Sequence, residues 1–378
     1  MHGQRMPLTV ARDNDLSDAG KTPGGIEIGL VNNMPDTALK STEAQFAALL
    51  EAAAGDIPVR LRLFTLPLVP RSARGAQHLG SSYLGLRDFW DSRLDALIIT
   101  GTEPRAAALD EEPYWPALAE LIEWAEQHTI STVWSCLAAH AAVFHLDGIV
   151  RHPLAEKRFG VFDCVKAGDH ALTHGLAPHI AVPHSRWNEL REEDLAARGY
   201  AVLTRSAEAG VDTFVRDGRS LFVFFQGHPE YDAASLLGEY RRDLGRFLRG
   251  ERATCPALPR GYFDAATAAL LTDFAARAQA DRREELLADF PLAAAERGVS
   301  DTWRAGAARI YRNWLAHVAA EKARAPERRA ARNRPAPAPG AESLVARESY
   351  IDRRHTGRAP RFSGPRDRRR PRLTGPAS

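Results

Sequence analysis

The chain has 378 residues, 44% hydrophobic and 26% charged, which is enough apolar material for one large α/β domain or two ordinary ones. Its three scattered cysteines (Cys136, Cys164, Cys255) lack CxxC spacing, its first two dozen residues lack an apolar signal stretch, and no run approaches the roughly 20 apolar residues of a membrane span; a disulfide framework, a zinc ribbon and a membrane protein are therefore excluded, and a soluble, cytoplasmic protein with free thiols and no metal is expected. The formal net charge of +2 is uneven: from Arg324 onward there are fifteen arginines, five acidic residues and no lysine, so the basicity belongs to the tail.

In chain order, residues 1–24 read as a flexible polar lead-in. Ile26–Val31 is a short apolar run, predicted as a buried strand, followed by a loop and a helical pattern over Ala38–Ala54. Val59–Phe64 alternates like a strand, and Arg71–Gly85, rich in Gly, Ser and Arg, reads as a surface loop. Strand Leu94–Thr100, helix Pro116–Gln127, strand Ser131–Ser135 and helix Ala138–His145 come next. Ala201–Ser206, Thr213–Arg216 and Leu221–Phe225 form a β-rich stretch, then a helix covers Ala233–Leu248 and a helical block covers about 264–319. Strand–helix alternation of this kind predicts an α/β fold, a mostly parallel sheet with helices on both faces, over a catalytic domain of residues 25–322. The Arg- and Pro-rich residues 323–378 are predicted to be disordered, since such a composition buries no core.

Two segments carry chemistry. In Thr132-Val133-Trp134-Ser135-Cys136-Leu137-Ala138-Ala139 an apolar strand runs straight into a cysteine and small residues open a helix. That is the layout of a nucleophile elbow, and the positive end of the helix dipole favours a thiolate there. In Leu221–Asp232 a wholly apolar strand ends in Gly227-His228-Pro229-Glu230. A polar cluster at the carboxyl end of a central strand is where α/β folds place their chemistry. Glu230 would orient the imidazole of His228 while its other nitrogen faces Cys136, a nucleophile–base–orienter set.

Several blocks in order resemble the MetA-type homoserine O-acyltransferases (homoserine O-succinyltransferase and its acetyl-using relatives), whose fold is related to class I glutamine amidotransferases. They are Asn33-Met34-Pro35 with Thr42-Glu43-Ala44-Gln45-Phe46, Ile98-Ile99-Thr100-Gly101 with Tyr114-Trp115-Pro116, Pro183-His184-Ser185-Arg186-Trp187, Gly227 to Asp232, and Asn313-Trp314-Leu315. The resemblance spans about residues 26–319. It implies Cys136 as acyl acceptor, His228 as base, Glu230 as its orienter, and Lys157, Ser185 and Arg242 toward the substrate. It also implies succinyl- or acetyl-coenzyme A and L-homoserine as substrates, no bound cofactor, a homodimer, and a place in methionine biosynthesis. Geometry of the elbow adds an oxyanion hole at the N–H of Leu137 and the Thr102 loop.

The chain departs from its relatives where they carry glycine with succinyl use or glutamate with acetyl use. Here that position is Arg105, which would pair with the free carboxylate of a succinyl group or fill the pocket. L-serine remains open as acceptor. A glutamine amidotransferase-like hydrolase is the rival reading, although Trp134 and Ala138 replace the glycines that usually flank the cysteine of those enzymes. The tail would attract nucleic acid at low salt.

Overall fold

The computed structural model describes residues 8–11 and 25–332. Most of the lead-in, and the tail beyond 332 with its expected disorder and nucleic-acid affinity, lie outside the described residues. By its contacts the chain divides after Ala325, and of the second unit only 326–332 are described.

The first unit is built on one sheet of ten strands: β1 (Thr9–Ala11), β2 (Ile26–Val31), β3 (Val59–Phe64), β4 (Ala96–Thr100), β5 (Ser131–Ser135), β6 (His152–Lys166), β7 (His179–Glu189), β8 (Ala201–Ser206), β9 (Gly210–Arg216) and β10 (Leu221–Phe225). Their order is β1-β3-β2-β4-β5-β10-β9-β8-β6-β7. Pairing is parallel from β1 through to β10 and antiparallel from β10 through to β7. The five strands β3-β2-β4-β5-β10 reproduce the flavodoxin-like order, in which ligands sit at the carboxyl ends where the winding reverses.

Among the described residues ten α-helices accompany the sheet: α1 (Asp36–Ala54), α2 (Ala73–Ser82), α3 (Leu86–Asp91), α4 (Trp115–His128), α5 (Leu137–Asp147), α6 (Glu192–Ala196), α7 (Ser235–Leu248), α8 (Ala265–Ala280), α9 (Leu292–Arg297) and α10 (Arg304–Arg332). Both faces of the sheet are covered, as expected. Alternate side chains point to opposite faces: Ile98, Val133 and Val223 meet Phe46 and Leu50 of α1 and Trp314 and Leu315 of α10, whereas Ile99, Trp134 and Phe224 meet Ile122 of α4 and Ala142 of α5. A third cluster joins α7, α8 and α9 through Tyr240, Leu271, Phe274 and Ala295.

Two expectations are corrected. Arg71–Gly85 is not a loop throughout, because Ala73–Ser82 is the helix α2. Ser72 caps it by accepting the N–H of Gly75, and Gly75 lies so close to Asp36 that a Cβ there would sit 2.2 Å from a carboxylate oxygen. The glycine that reads as a breaker is the residue that lets α2 dock on α1. Likewise α10 continues past 322 to Arg332, since alanine, glutamate and arginine are good helix formers and outweigh the single Pro326.

The Asn33 block is a brace. Asn33 donates its backbone N–H to Thr100 Oγ1 at 2.8 Å and its side-chain amide to the Thr100 carbonyl, and its Oδ1 accepts the N–H of Leu66. Those bonds tie together the carboxyl ends of β2, β3 and β4.

Candidate active site

Strand β5 ends in Ser135, and Cys136 turns the chain into α5 with φ 51° and ψ −109°. A non-glycine residue with that backbone is strained, by about 1–3 kcal/mol. It is held because the Cys136 N–H donates to the Phe225 carbonyl (2.8 Å) and its own carbonyl accepts from Ala139 and His140. Leu137 is the first residue of α5, so its N–H has no partner within the helix. The loop after β4 lies against it: a Cβ on Gly101 would stand 2.4 Å from the Leu137 Cβ. Thr102 and Leu137 therefore border one cleft, shared with Asn33, Tyr114 and Ala138.

Neighbouring strand β10 leads into His228. His228 Nδ1 pairs with Glu230 Oε1 at 2.9 Å. Its ring stacks on Tyr231, with centroids 4.2 Å apart. The N–H of His228 donates to the Pro183 carbonyl of β7, and Glu230 Oε1 further accepts from Ser135 Oγ at 3.4 Å. The structure thus brings together Cys136, His228 and Glu230 as the sequence predicts. Burial by itself lowers the pKa of His228, but the negative charges of Cys136 and Glu230 and the bonds to both outweigh it and hold the ring well above its usual 6.5. The imidazolium is retained up to that raised value and lost as pH rises through it. Glu230→Gln removes one of these charges, so the alkaline limb of kcat/KM for an acyl thioester should move to lower pH, a shift read from pH–rate profiles of variant and wild type.

The turn between Phe225 and His228 is fixed from behind by buried polar groups that sequence reasoning missed. Gln226 Oε1 accepts the Leu190 N–H (2.7 Å), and its amide donates to the Val211 carbonyl (2.7 Å). Asp212 accepts from Thr204 and Thr213 (2.8 Å each) and from the Gly227 N–H (3.2 Å). A Cβ on Gly227 would stand 2.6 Å from Asp212 Oδ1 and from Val182 Cγ1. Gly227→Ala should therefore cost about 1–3 kcal/mol by overpacking and displace His228, measured by urea unfolding together with activity.

The remaining expected residues meet at a side chain not singled out from sequence, Glu239 of α7. Lys157 Nζ donates to Glu239 Oε2 (3.0 Å) and Asp243 Oδ2 (3.3 Å), Ser185 Oγ to Glu239 Oε2 (2.5 Å), and Tyr231 OH to Glu239 Oε1 (2.6 Å). Arg242 holds Asp243 Oδ1 through two nitrogens at 3.0 Å and lies 3.6 Å from Glu239. Burial raises the Glu239 pKa, yet Lys157 and the hydroxyls of Ser185 and Tyr231 outweigh it and keep the carboxylate ionised. Through Tyr231, which stacks on His228 and bonds Glu239, this ionic cluster adjoins the triad. Arg105 is not drawn in: its side chain is exposed, and it is its backbone N–H that bonds Glu112 (2.5 Å). Among the described residues no three His, Cys, Asp or Glu side chains are placed to hold a metal, and no helix is long and apolar enough to cross a membrane.

The family whose sequence model matches residues 17–324 is described as homoserine O-succinyltransferase. The chain belongs to this family. Among relatives of that name, the one from Rhodopseudomonas palustris is 52% identical over 82% of this chain and 92% of its own length. Another, from Bradyrhizobium japonicum, is 49% identical over 79% and 92%. A solved glutamine amidotransferase from Thermotoga maritima is similar at 13% identity and a TM-score of 0.41, covering 79% of this chain and 97% of that one. Homoserine O-succinyltransferases are acyltransferases, and the resemblance read from Cys136, the Pro183 block and the Gly227 block stands at the family level.

Proposed function

We propose that this chain transfers the succinyl group of succinyl-coenzyme A to the hydroxyl of L-homoserine by a ping-pong route through a thioester on Cys136. Support comes from family membership and, above all, from one observation: His228 pairs with Glu230, which also accepts from Ser135 next to Cys136, beside a cluster with charges of both signs. The Cys136 thiolate attacks the thioester carbonyl, and the oxyanion meets the Leu137 N–H and the Thr102 loop. As the tetrahedral carbon collapses, its bond to the coenzyme sulfur breaks and that thiolate takes the proton of His228. The neutral imidazole then accepts the proton of the homoserine hydroxyl as that oxygen attacks the acyl-cysteine. Collapse of this second intermediate breaks the carbon–sulfur bond, releasing the ester and the Cys136 thiolate.

For the acceptor, an amino acid with both an ammonium and a carboxylate suits a cluster with both signs of charge. Arg242 and Lys157 face the carboxylate, the Arg242 fork matching it with two bonds. Glu239 receives the ammonium, and Ser185 holds Glu239 in place.

Intact-mass analysis after mixing the protein with succinyl-coenzyme A alone tests the route. The expected result is one succinyl group on the peptide carrying Cys136, discharged when L-homoserine is added but not L-serine. Glutamine hydrolysis with no acylation by any thioester would replace this reading with the amidotransferase one.

A further inference from the structure

In the proposed route one imidazole must hold a proton for the first half-reaction and lack it for the second, and Tyr231 is fastened to that imidazole. The turn over residues 228–231 is closed by the Tyr231 N–H, which donates to the His228 carbonyl at 3.2 Å, and the buried indole of Trp303 donates to the Tyr231 carbonyl at 2.8 Å. The backbone of Tyr231 is thus held from both sides. Its ring lies on the imidazole with centroids 4.2 Å apart and the planes inclined by only 17°. Its hydroxyl donates to Glu239 Oε1 at 2.6 Å, while Glu239 Oε2 is taken by Lys157 and Ser185. One side chain touches the base with its face and the ionic cluster with its tip.

A phenol that donates to a carboxylate is polarised toward phenolate, and its ring face becomes more negative. Such a face holds a stacked cation more tightly than a neutral ring. Burial, and then the charge of Glu239, keep the phenol protonated well above its usual pKa of 10, so it stays a donor. While Glu239 has only its protein partners, Tyr231 therefore favours the imidazolium. An acceptor ammonium seated on Glu239 draws negative charge away from the phenol, and the ring face loses density. His228 is then freed to act as a base just when a hydroxyl is present to be deprotonated.

We propose that Tyr231 is a positioning residue that couples occupancy of the Glu239 cluster to the protonation of His228, guarding the acyl-enzyme from water until the acceptor has bound. The proposal rests on the Cys136 acyl-enzyme and on Glu239 as the ammonium site, and deepens both. In discharge to water, the water oxygen bonds the acyl carbon and His228 takes the water proton. The carbon–sulfur bond then breaks to give the free acid and the Cys136 thiolate. This reaction needs the neutral ring, so its rate rises with pH through the midpoint of the ring's titration.

The test follows discharge of the succinylated protein to water across pH, alone and with L-2-aminobutyrate, which has the ammonium and carboxylate of homoserine but no hydroxyl. In wild type the analogue should lower the midpoint by roughly half a pH unit, the scale of one cation–π contact. Tyr231→Phe keeps the ring on His228 and removes its link to Glu239, so there the analogue should leave the midpoint in place. Glu239→Gln keeps a partner for the phenol without the charge, and should show the lowered midpoint with no analogue present. A wild-type midpoint that the analogue does not move, an equal shift in Tyr231→Phe, or an unmoved midpoint in Glu239→Gln overturns the proposal. L-2-aminobutyrate that fails to compete with L-homoserine overturns Glu239 as the ammonium site, and a wild type that takes up no succinyl group overturns the Cys136 reading; either result takes this proposal with it.

Discussion

Cys136→Ala should lower acyl transfer by about 10⁴-fold or more, the scale on which covalent enzymes respond to loss of the nucleophile. No neighbouring group replaces it. Cys164 is fully buried and burial pushes its pKa up, and Cys255 lies with the α7–α8 cluster rather than at the elbow. The Ser135 hydroxyl is committed to Glu230. Alanine accepts the same strained backbone as cysteine, and the 2.8 Å bond from the residue 136 N–H to Phe225 remains, so the melting temperature should be unchanged. Coenzyme A release measured with a thiol reagent checks the loss, and a melting curve shows that it is chemical.

His228→Ala is the second large effect, about 10²- to 10⁴-fold in kcat/KM, the range for a general acid–base. In the proposed route one imidazole serves both half-reactions, donating its proton to the departing coenzyme thiolate and then taking one from the acceptor hydroxyl. Rapid-mixing measurements should therefore show both acylation and discharge slowed. A loss confined to discharge would mean that the leaving thiolate departs without the ring's proton. The fold should hold, since the residue 228 N–H to Pro183 bond belongs to the backbone.

The triad was legible because its signals are local: an apolar strand, then a cysteine and small residues, and a second apolar strand ending in Gly227-His228-Pro229-Glu230. Glu239 was not, because a glutamate among Tyr240, Arg241 and Arg242 on a helix reads as a solvated surface charge. What makes it a hub is Ser185 and Lys157 arriving from β7 and β6. Those two strands were themselves obscure. The start of β6, His152-Pro153-Leu154-Ala155-Glu156-Lys157-Arg158, carries too much charge for an apolar alternation to show, and its register slips between Pro153 and Arg158. Gly75 misled in the opposite direction, since a glycine serving close approach looks in sequence like one serving flexibility.

The insertion of β6 through β9 between two adjacent parallel strands also governs when the proposed catalytic pair, Cys136 and His228, comes together. β5 and β10 pair residue for residue, Ser135 beside Phe225, although the chain between them makes four other strands of the sheet. Closing so long a loop is a late, non-local event. A ribosome-bound chain that has already exposed the Cys136 elbow has no imidazole to pair with it until β10 is made and slots in beside β5. The reactive pair is thus assembled by completion of the sheet, and a chain that stalls before Phe225 is left with an unpaired thiol.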